Sequence, residues 1–344
     1  MENKNIIDNK RISGYDSLKG LAIILVCIGH ILQTNILNFS DTHIHAFIFA
    51  VQMPLFMVIS GYFGYSKKEY TFKKIGLKAI AYLVPFLSHI LIYQNIFQMK
   101  ETSVIERFLI IIPNNIDAGL WYLWVIFFLY VHLSIVNMLM ARIKNKNSII
   151  RFFLESIVFF ASLIIWVVLA ITVSPAFLGC KLILYYSIFY YSGYIYHKYI
   201  ENKLNTMETA KNIIFAIFSI IGVYVICHFE VFTSDDSIKT ILIRLISGFT
   251  LSFSIVFMVI KRQDFFEKYH FNWIGKYSLE IYYVHGIAFS LMQISSQTLY
   301  TVDGMLTFLI SILITAVYTA VIIGAIKCNS ITDFLFFGKL KSRS

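Results

Sequence analysis

Stretches of about twenty predominantly apolar residues recur from one end of this chain to the other, separated by short polar connections. A run of that length matches the helix needed to cross a hydrocarbon core of about 30 Å. Inside lipid every backbone N–H and C=O must find a partner within the chain, which makes such runs helices and not isolated strands. Ten spans are expected, over about 18–38, 44–65, 75–97, 120–140, 153–173, 179–197, 211–229, 239–260, 277–296 and 304–327. Composition agrees. Of the 344 residues 58% are hydrophobic and 14% charged, whereas a soluble globule carries about 25% charged residues. The mean hydropathy is +0.73. The expected fold class is therefore all-α, a polytopic integral membrane protein.

The first apolar run has no small-residue cleavage site after it, so it is expected to stay as a span and not to leave as a signal peptide. Cys27, Cys180, Cys227 and Cys328 lack paired spacing. They suggest neither a metal site nor a disulfide framework.

The formal charge is +10, and its distribution along the chain explains it. Lys4, Lys10, Arg11 and Lys19 precede the first span. Lys67, Lys68, Lys73, Lys74 and Lys78 follow the second. Arg142, Lys144, Lys146 and Arg151 lie in the fourth loop, and Lys198, Lys203 and Lys211 in the sixth. Lys261, Arg262, Lys268 and Lys276 lie in the eighth, while Lys327, Lys339, Lys341 and Arg343 close the chain. One side thus receives 24 of the 29 basic residues, which by the positive-inside rule puts both termini in the cytoplasm. Adding or losing one span would scramble that alternation. The clusters read as topology signals, and no nucleic-acid partner is implied. The lysine pairs at 67–68 and 73–74 are also suited to attracting a phosphorylated substrate.

Most loops are short. The longest outer connection, roughly 98–119, contains ETSVIERFLIIIPNNIDAG, whose apolar middle suits a re-entrant or interfacial segment. No internal repeat suggests a transporter built from duplicated halves.

The stretch RISGYDSLKGLAIILVCIGHILQ, residues 11–33, places His30 well inside the first apolar run. Eleven residues separate it from Lys19, about 16 Å or three helical turns, so the two side chains point almost the same way. Asp16 falls within roughly 40° of His30 if the helix extends back that far. Lys19 is then at the cytoplasmic boundary and His30 near mid-membrane on one stripe. Lys19 alone is also explained as an interfacial anchor, and Asp16 as a charge in the first helical turn. His30 admits a packing role, but ionisable groups within spans are costly and usually face a bundle interior or cavity.

The ninth span, WIGKYSLEIYYVHGIAF at 273–289, adds Glu280 and His285. It enters from the same side as the first, so the two histidines are expected at overlapping depths around one polar chamber. Tyr282 and Ser278 lie nearer the face of His285 than Glu280 does. A histidine there, with an ordinary pKa near neutrality, is suited to removing a proton from a sugar hydroxyl as its oxygen attacks a thioester. Lys19 is suited to steadying a phosphate or diphosphate of the acyl donor. Composition names no oxyanion donor.

These residues together resemble the bacterial integral-membrane acyltransferase 3 family, which includes O-acetyltransferases of surface glycans. The family's first-span signature, a basic residue and then ten residues and a histidine, is matched by Lys19 and His30 within YDSLKGLAIILVCIGH. The approach resembles its Leu-Asp-x-Leu-Arg-Gly pattern, with Tyr15 for the first leucine and Lys19 for the arginine. MPLFMVISGYFGYSKK resembles the second span and its Ser-Gly-Tyr ending at Ser60, Gly61 and Tyr62. KKIGLKAIAYLVPF resembles the basic entry to the third span, with Lys74 and Lys78 at a looser spacing than the family's Arg-x-x-Arg. GLWYLWVIFF resembles its Trp-Tyr/Phe-Leu-Trp segment. YSLEIYYVHG resembles its late Ser-x-x-Ile-Tyr-x-x-His segment, at Ser278, Ile281, Tyr282 and His285.

The resemblance implies one membrane acyltransferase domain over 1–344, with short cytoplasmic tails and no appended soluble domain. It implies His30 as the catalytic residue, with Asp16 and His285 in the catalytic group. Lys19, Lys74 and Lys78 would meet the donor, acetyl-CoA as co-substrate, with no metal. Tyr62, Trp121, Trp124, Glu280 and Tyr282 would line the acceptor site, although both tryptophans equally suit packing or an interface, and Tyr62 an anchor. The acceptor implied is a surface-glycan or lipid-linked saccharide, among the lipids of a bacterial cytoplasmic membrane. Neither acyl group nor oligomeric state is fixed. Two other functions fit the residues alone: a transporter or flippase using His30 and His285 as coupling groups, and a non-catalytic assembly or sensor protein.

Overall fold

The computed structural model describes residues 2–37, 39–66, 68–93, 103–114, 116, 120–143, 147–231, 237–290, 297–298 and 301–339. Lys67, Lys100, Lys144, Lys146, Lys341 and Arg343 lie outside the described residues. So do residues 94–97 of the expected third span, 291–296 of the expected ninth and much of the 98–119 connection.

The regular structure of the described chain is helical, apart from a two-residue parallel ladder pairing Ile36–Leu37 with Gln297–Thr298. Eight helices are long and apolar enough to cross a membrane: Ser13–Asn35, His43–Gly64, Phe72–Leu91, Trp121–Ala141, Ser148–Thr172, Glu208–His228, Ile238–Lys261 and Val302–Lys327. The protein is therefore an all-α, multi-pass membrane protein. Two expected spans are not among these eight. Cys180–Ile195 runs 16 residues before a π-helical turn at Tyr196–Ile200, and its five tyrosines lower its apolar character. Ser278–Ser290 is described over 13 residues.

Polar caps start several of these helices where the chain enters the apolar region. Thr71 accepts from the Lys74 amide, Asn147 from those of Ile149 and Ile150, and Ser237 from that of Thr240. Each supplies an acceptor to N–H groups that have no partner within the helix. In the 98–119 region, Val104–Asn114 forms a helix of 11 residues, about 16 Å long and too short to span. A capping box begins it: the Ser103 amide and hydroxyl donate to Glu106 Oε2, and the Glu106 amide donates to Ser103 Oγ. Those bonds hold the Glu106 carboxyl below its ordinary pKa, the backbone donor contributing most.

The chain divides into two compact units. The first comprises 1–59 and 195–324. Its opening helix runs from Glu2 to Asn35, so the turn that carries Asp16 is helical. This helix packs along Phe271–Lys276, and the crossing is closed by two glycines. A Cβ on Gly20 would lie 2.1 Å from the Phe271 carbonyl oxygen, and one on Gly275 only 1.7 Å from that of Asp16. Further along, Asn35 Nδ2 donates to Ser311 Oγ at 3.1 Å, between two buried side chains.

The second unit comprises 60–194 and 325–344. Here Gly61 lets its helix rest on the Cys180–Ile195 helix, since a Cβ would stand 1.7 Å from the Tyr190 carbonyl oxygen. Its most buried charge is Glu155, fully inaccessible, paired with Arg151 at 3.2 Å and accepting from the Tyr194 hydroxyl. Phe159 stacks on Tyr191, with centroids 4.3 Å apart.

Gly275→Ala should force the two helices of its crossing apart and cost about 1–3 kcal/mol, as overpacking of a close contact does. Gly76, inside a helix and where an added Cβ meets nothing within 4 Å, is the control: Gly76→Ala should leave thermal stability in detergent unchanged or slightly raised. Equal melting temperatures for both variants would contradict the account of the crossing.

Candidate active site

All the functional candidates of the first unit lie on two helices, and their arrangement follows from the opening helix. Asp16 and Lys19 stand one turn apart, and Lys19 Nζ donates to Asp16 Oδ1 at 3.0 Å. Asp16 is nearly buried and Lys19 partly exposed, with side-chain accessibilities of 11% and 29%. The carboxylate thus fixes the direction of an ammonium at the edge of the apolar region. It sits beside the Gly20–Gly275 crossing, whose backbone contact is made by the Asp16 carbonyl itself.

About three turns on, half-buried His30 meets His285 from the Ser278–Ser290 helix. The ring centroids are 5.3 Å apart at 37°. This is the meeting of two distant segments that the stripe geometry and the shared entry side predict. His285 is buried, and its Nδ1 lies 2.5 Å from the Tyr282 carbonyl oxygen. A carbonyl only accepts, so Nδ1 carries the proton, and in the neutral ring the lone pair is on Nε2. The Tyr282 ring stacks against the same imidazole at 5.5 Å and 28°. Glu280 is buried at 1% exposure, in the first turn of that helix.

Other neighbours of His30 escaped sequence reasoning. The edge of Phe49 contacts it, with centroids 6.5 Å apart, and His45 packs on Phe49 at 4.4 Å. Gln52 is 4% exposed, and its Oε1 is buried with no hydrogen-bond partner among the described residues. That oxygen lies 3.0 Å from where a Cβ on Gly29 would stand, one residue before His30. A buried acceptor is expensive to leave unsatisfied, and such groups mark sites of function. A lone glutamine inside MPLFMVISGYFG's own apolar approach was the available signal. Gly20 and Gly275 gave none, because a small residue does not announce which backbone it meets.

Tyr62, Lys74, Lys78, Trp121 and Trp124 belong to the second unit. Lys78 Nζ donates to the Tyr82 hydroxyl at 3.3 Å and lies over the Tyr82 and Tyr130 rings, a cation–π arrangement. Lys74 is partly exposed, and its ammonium donates to the Glu69 carbonyl. Tyr62 is buried, edge-on to Phe63. Trp121 stacks on Tyr186 at 4.9 Å. Trp124 donates its indole N–H to the Leu178 carbonyl at 2.9 Å and contacts Phe86 and Phe128. Its one donor is used in packing.

Paired imidazoles and an ion pair on the helices of a multi-pass membrane protein mark the candidate polar site. A family model described as an acyltransferase domain, that of the acyltransferase 3 family, matches residues 12–325. The chain belongs to this family of membrane-bound acyltransferases. Among curated proteins it is 26% identical over 230 residues to the nodulation protein NolL of Sinorhizobium fredii, covering 64% of this chain and 58% of that one. It is 28% identical over 141 residues to the nodulation protein NolL of Mesorhizobium japonicum, covering 38% of this chain and 37% of that one. The chain thus aligns with 58% of the length of the first relative and 37% of the second. No solved structure gives a significant match.

The hydrogen bond to Tyr282 sets a spectroscopic expectation. In protein labelled with nitrogen-15 at histidine, neutral His285 should show a protonated Nδ1 and a bare Nε2. The opposite tautomer would contradict the geometry.

Proposed function

We propose that the protein transfers an acyl group, acetyl from acetyl-CoA, to a hydroxyl of a cell-surface or lipid-linked polysaccharide. The observation that carries this reading is the 5.3 Å approach of His30 and His285 in a chain of the acyltransferase 3 family. His30 takes the proton of the attacking hydroxyl as its oxygen bonds to the thioester carbonyl carbon. The tetrahedral intermediate collapses, the C–S bond breaks, and the departing thiolate receives the proton from His30. His285, with Nδ1 committed to the Tyr282 carbonyl, presents Nε2 as the second polar group. Lys19, aimed by Asp16, steadies the donor's diphosphate; Lys74 and Lys78 are assigned to the donor by the resemblance alone.

Glu280 and Tyr282 line the acceptor side in this reading, and the Gln52 acceptor suits a sugar hydroxyl. Tyr62, Trp121 and Trp124 are assigned to the acceptor by the resemblance alone. Their packing supports a shaping role for Trp124, whose N–H is already engaged.

The Cys180–Ile195 and Ser278–Ser290 helices are proposed to complete ten crossings. The charge asymmetry supports a bacterial cytoplasmic membrane with both termini inside. A family match over 12–325 supports one acyltransferase domain made from both units.

Membranes bearing wild-type protein or His30→Ala, given labelled acetyl-CoA and host surface-glycan extract, test the reading. Label should reach the glycan fraction with wild type and fall by about 100-fold or more in the variant, the usual scale for a general base. Undiminished labelling by purified His30→Ala would contradict the assignment. No labelling by wild type across a broad set of donors and acceptors would favour transport.

A further inference from the structure

A second site lies in the first unit, where the start of the Glu208–His228 helix meets the end of the Ile238–Lys261 helix. A cavity of about 470 Å³ opens there, lined at its polar end by Lys211, Lys261, Arg262, Asn205 and Asn212 and lower down by Phe215 and Phe257. We propose that this cavity binds the phosphate of an anionic phospholipid from the surrounding leaflet.

Charge supports the proposal. Three cationic side chains and Glu208 line the cavity, a net charge of +2, and Glu201 lies close enough to act on Lys211. Lys211 Nζ donates to Asn205 Oδ1 at 3.1 Å, and Lys261 Nζ to Asn212 Oδ1 at 2.9 Å. A neutral amide therefore holds the Lys261 ammonium in place without cancelling its charge, while Lys211 also faces Glu201 and Glu208. The Glu208–His228 helix also begins without a side-chain cap, so its first N–H groups and the positive end of its dipole face the same end.

Placement selects a lipid. The charge asymmetry assigns this end of both helices to the cytoplasm, where basic pockets between membrane helices take phospholipid headgroups. The Glu208–His228 helix is peripheral, with only 17% of its apolar window buried and Ile213, Ile217 and Ile220 exposed. A phosphate at the cations leaves its acyl chains to descend past Phe215 and Phe257, along a face already suited to lipid. A soluble phosphate compound would gain nothing from those phenylalanines. The site is separate from His30 and its chemistry and stands independently of acyl transfer.

Native mass spectrometry of the purified full chain, titrated with phosphatidylglycerol or with phosphatidylcholine, tests the proposal. Wild type should retain phosphatidylglycerol preferentially. Lys261→Gln/Arg262→Gln should lower that retention about tenfold or more, at roughly the per-charge scale for basic groups near anionic lipid, and leave phosphatidylcholine unchanged. Lys261→Arg/Arg262→Lys should keep it. On wild type, which needs no variant to fold, neither inorganic phosphate nor coenzyme A should displace the lipid. Unchanged retention in the glutamine variant, or displacement by either soluble phosphate compound, would overturn the proposal.

Discussion

Gly20 and Gly275 face each other where the opening helix crosses Phe271–Lys276, and a methyl group on either would occupy the space of a backbone carbonyl. The crossing precedes the helix that carries Glu280, Tyr282 and His285 by only two residues. It therefore sets the height and direction at which that helix runs beside His30. Asp16 takes part twice, through its backbone at the crossing and through its carboxylate on Lys19. Donor end and reacting end of the proposed site are thus referred to one contact.

The membrane explains why so few polar groups suffice. In an apolar surrounding an ionisable side chain is costly unless it is partnered, so each one that remains has a defined orientation. Lys19 is directed by Asp16, and His285 by the Tyr282 carbonyl. The second unit handles its own buried charge similarly, placing Glu155 between Arg151 and Tyr194. The proposed lipid site differs: its Lys261 ammonium rests on an amide at the edge of the apolar region, and its charge stays available to an anion.

The stripe of Asp16, Lys19 and His30 was legible in the sequence because helical periodicity alone fixes which side chains of one helix share a face. The partnership with His285 was legible too, since both helices are expected to enter from one side and ionisable groups in spans tend to face an interior. Eight spans were readable from apolar length. The tyrosine-rich Cys180–Ile195 helix, followed by a π-helical turn, is where length and hydropathy stop being decisive. What was not legible depends on backbone approach or on a third helix. Examples are the glycine crossing, Gln52 opposite Gly29, and Phe49 with His45. The second-unit tryptophans show the converse, in that a family motif marks the residues while only geometry shows Trp124 bonded to Leu178.

The central claim is that His30 and His285 act as one catalytic unit, and a double-mutant cycle on acyl-transfer rate addresses it most directly. Groups that act together lose nearly everything on the first deletion. The account predicts that His30→Ala/His285→Ala is scarcely slower than the worse single variant. Losses that simply multiply would show two histidines working independently and would contradict it.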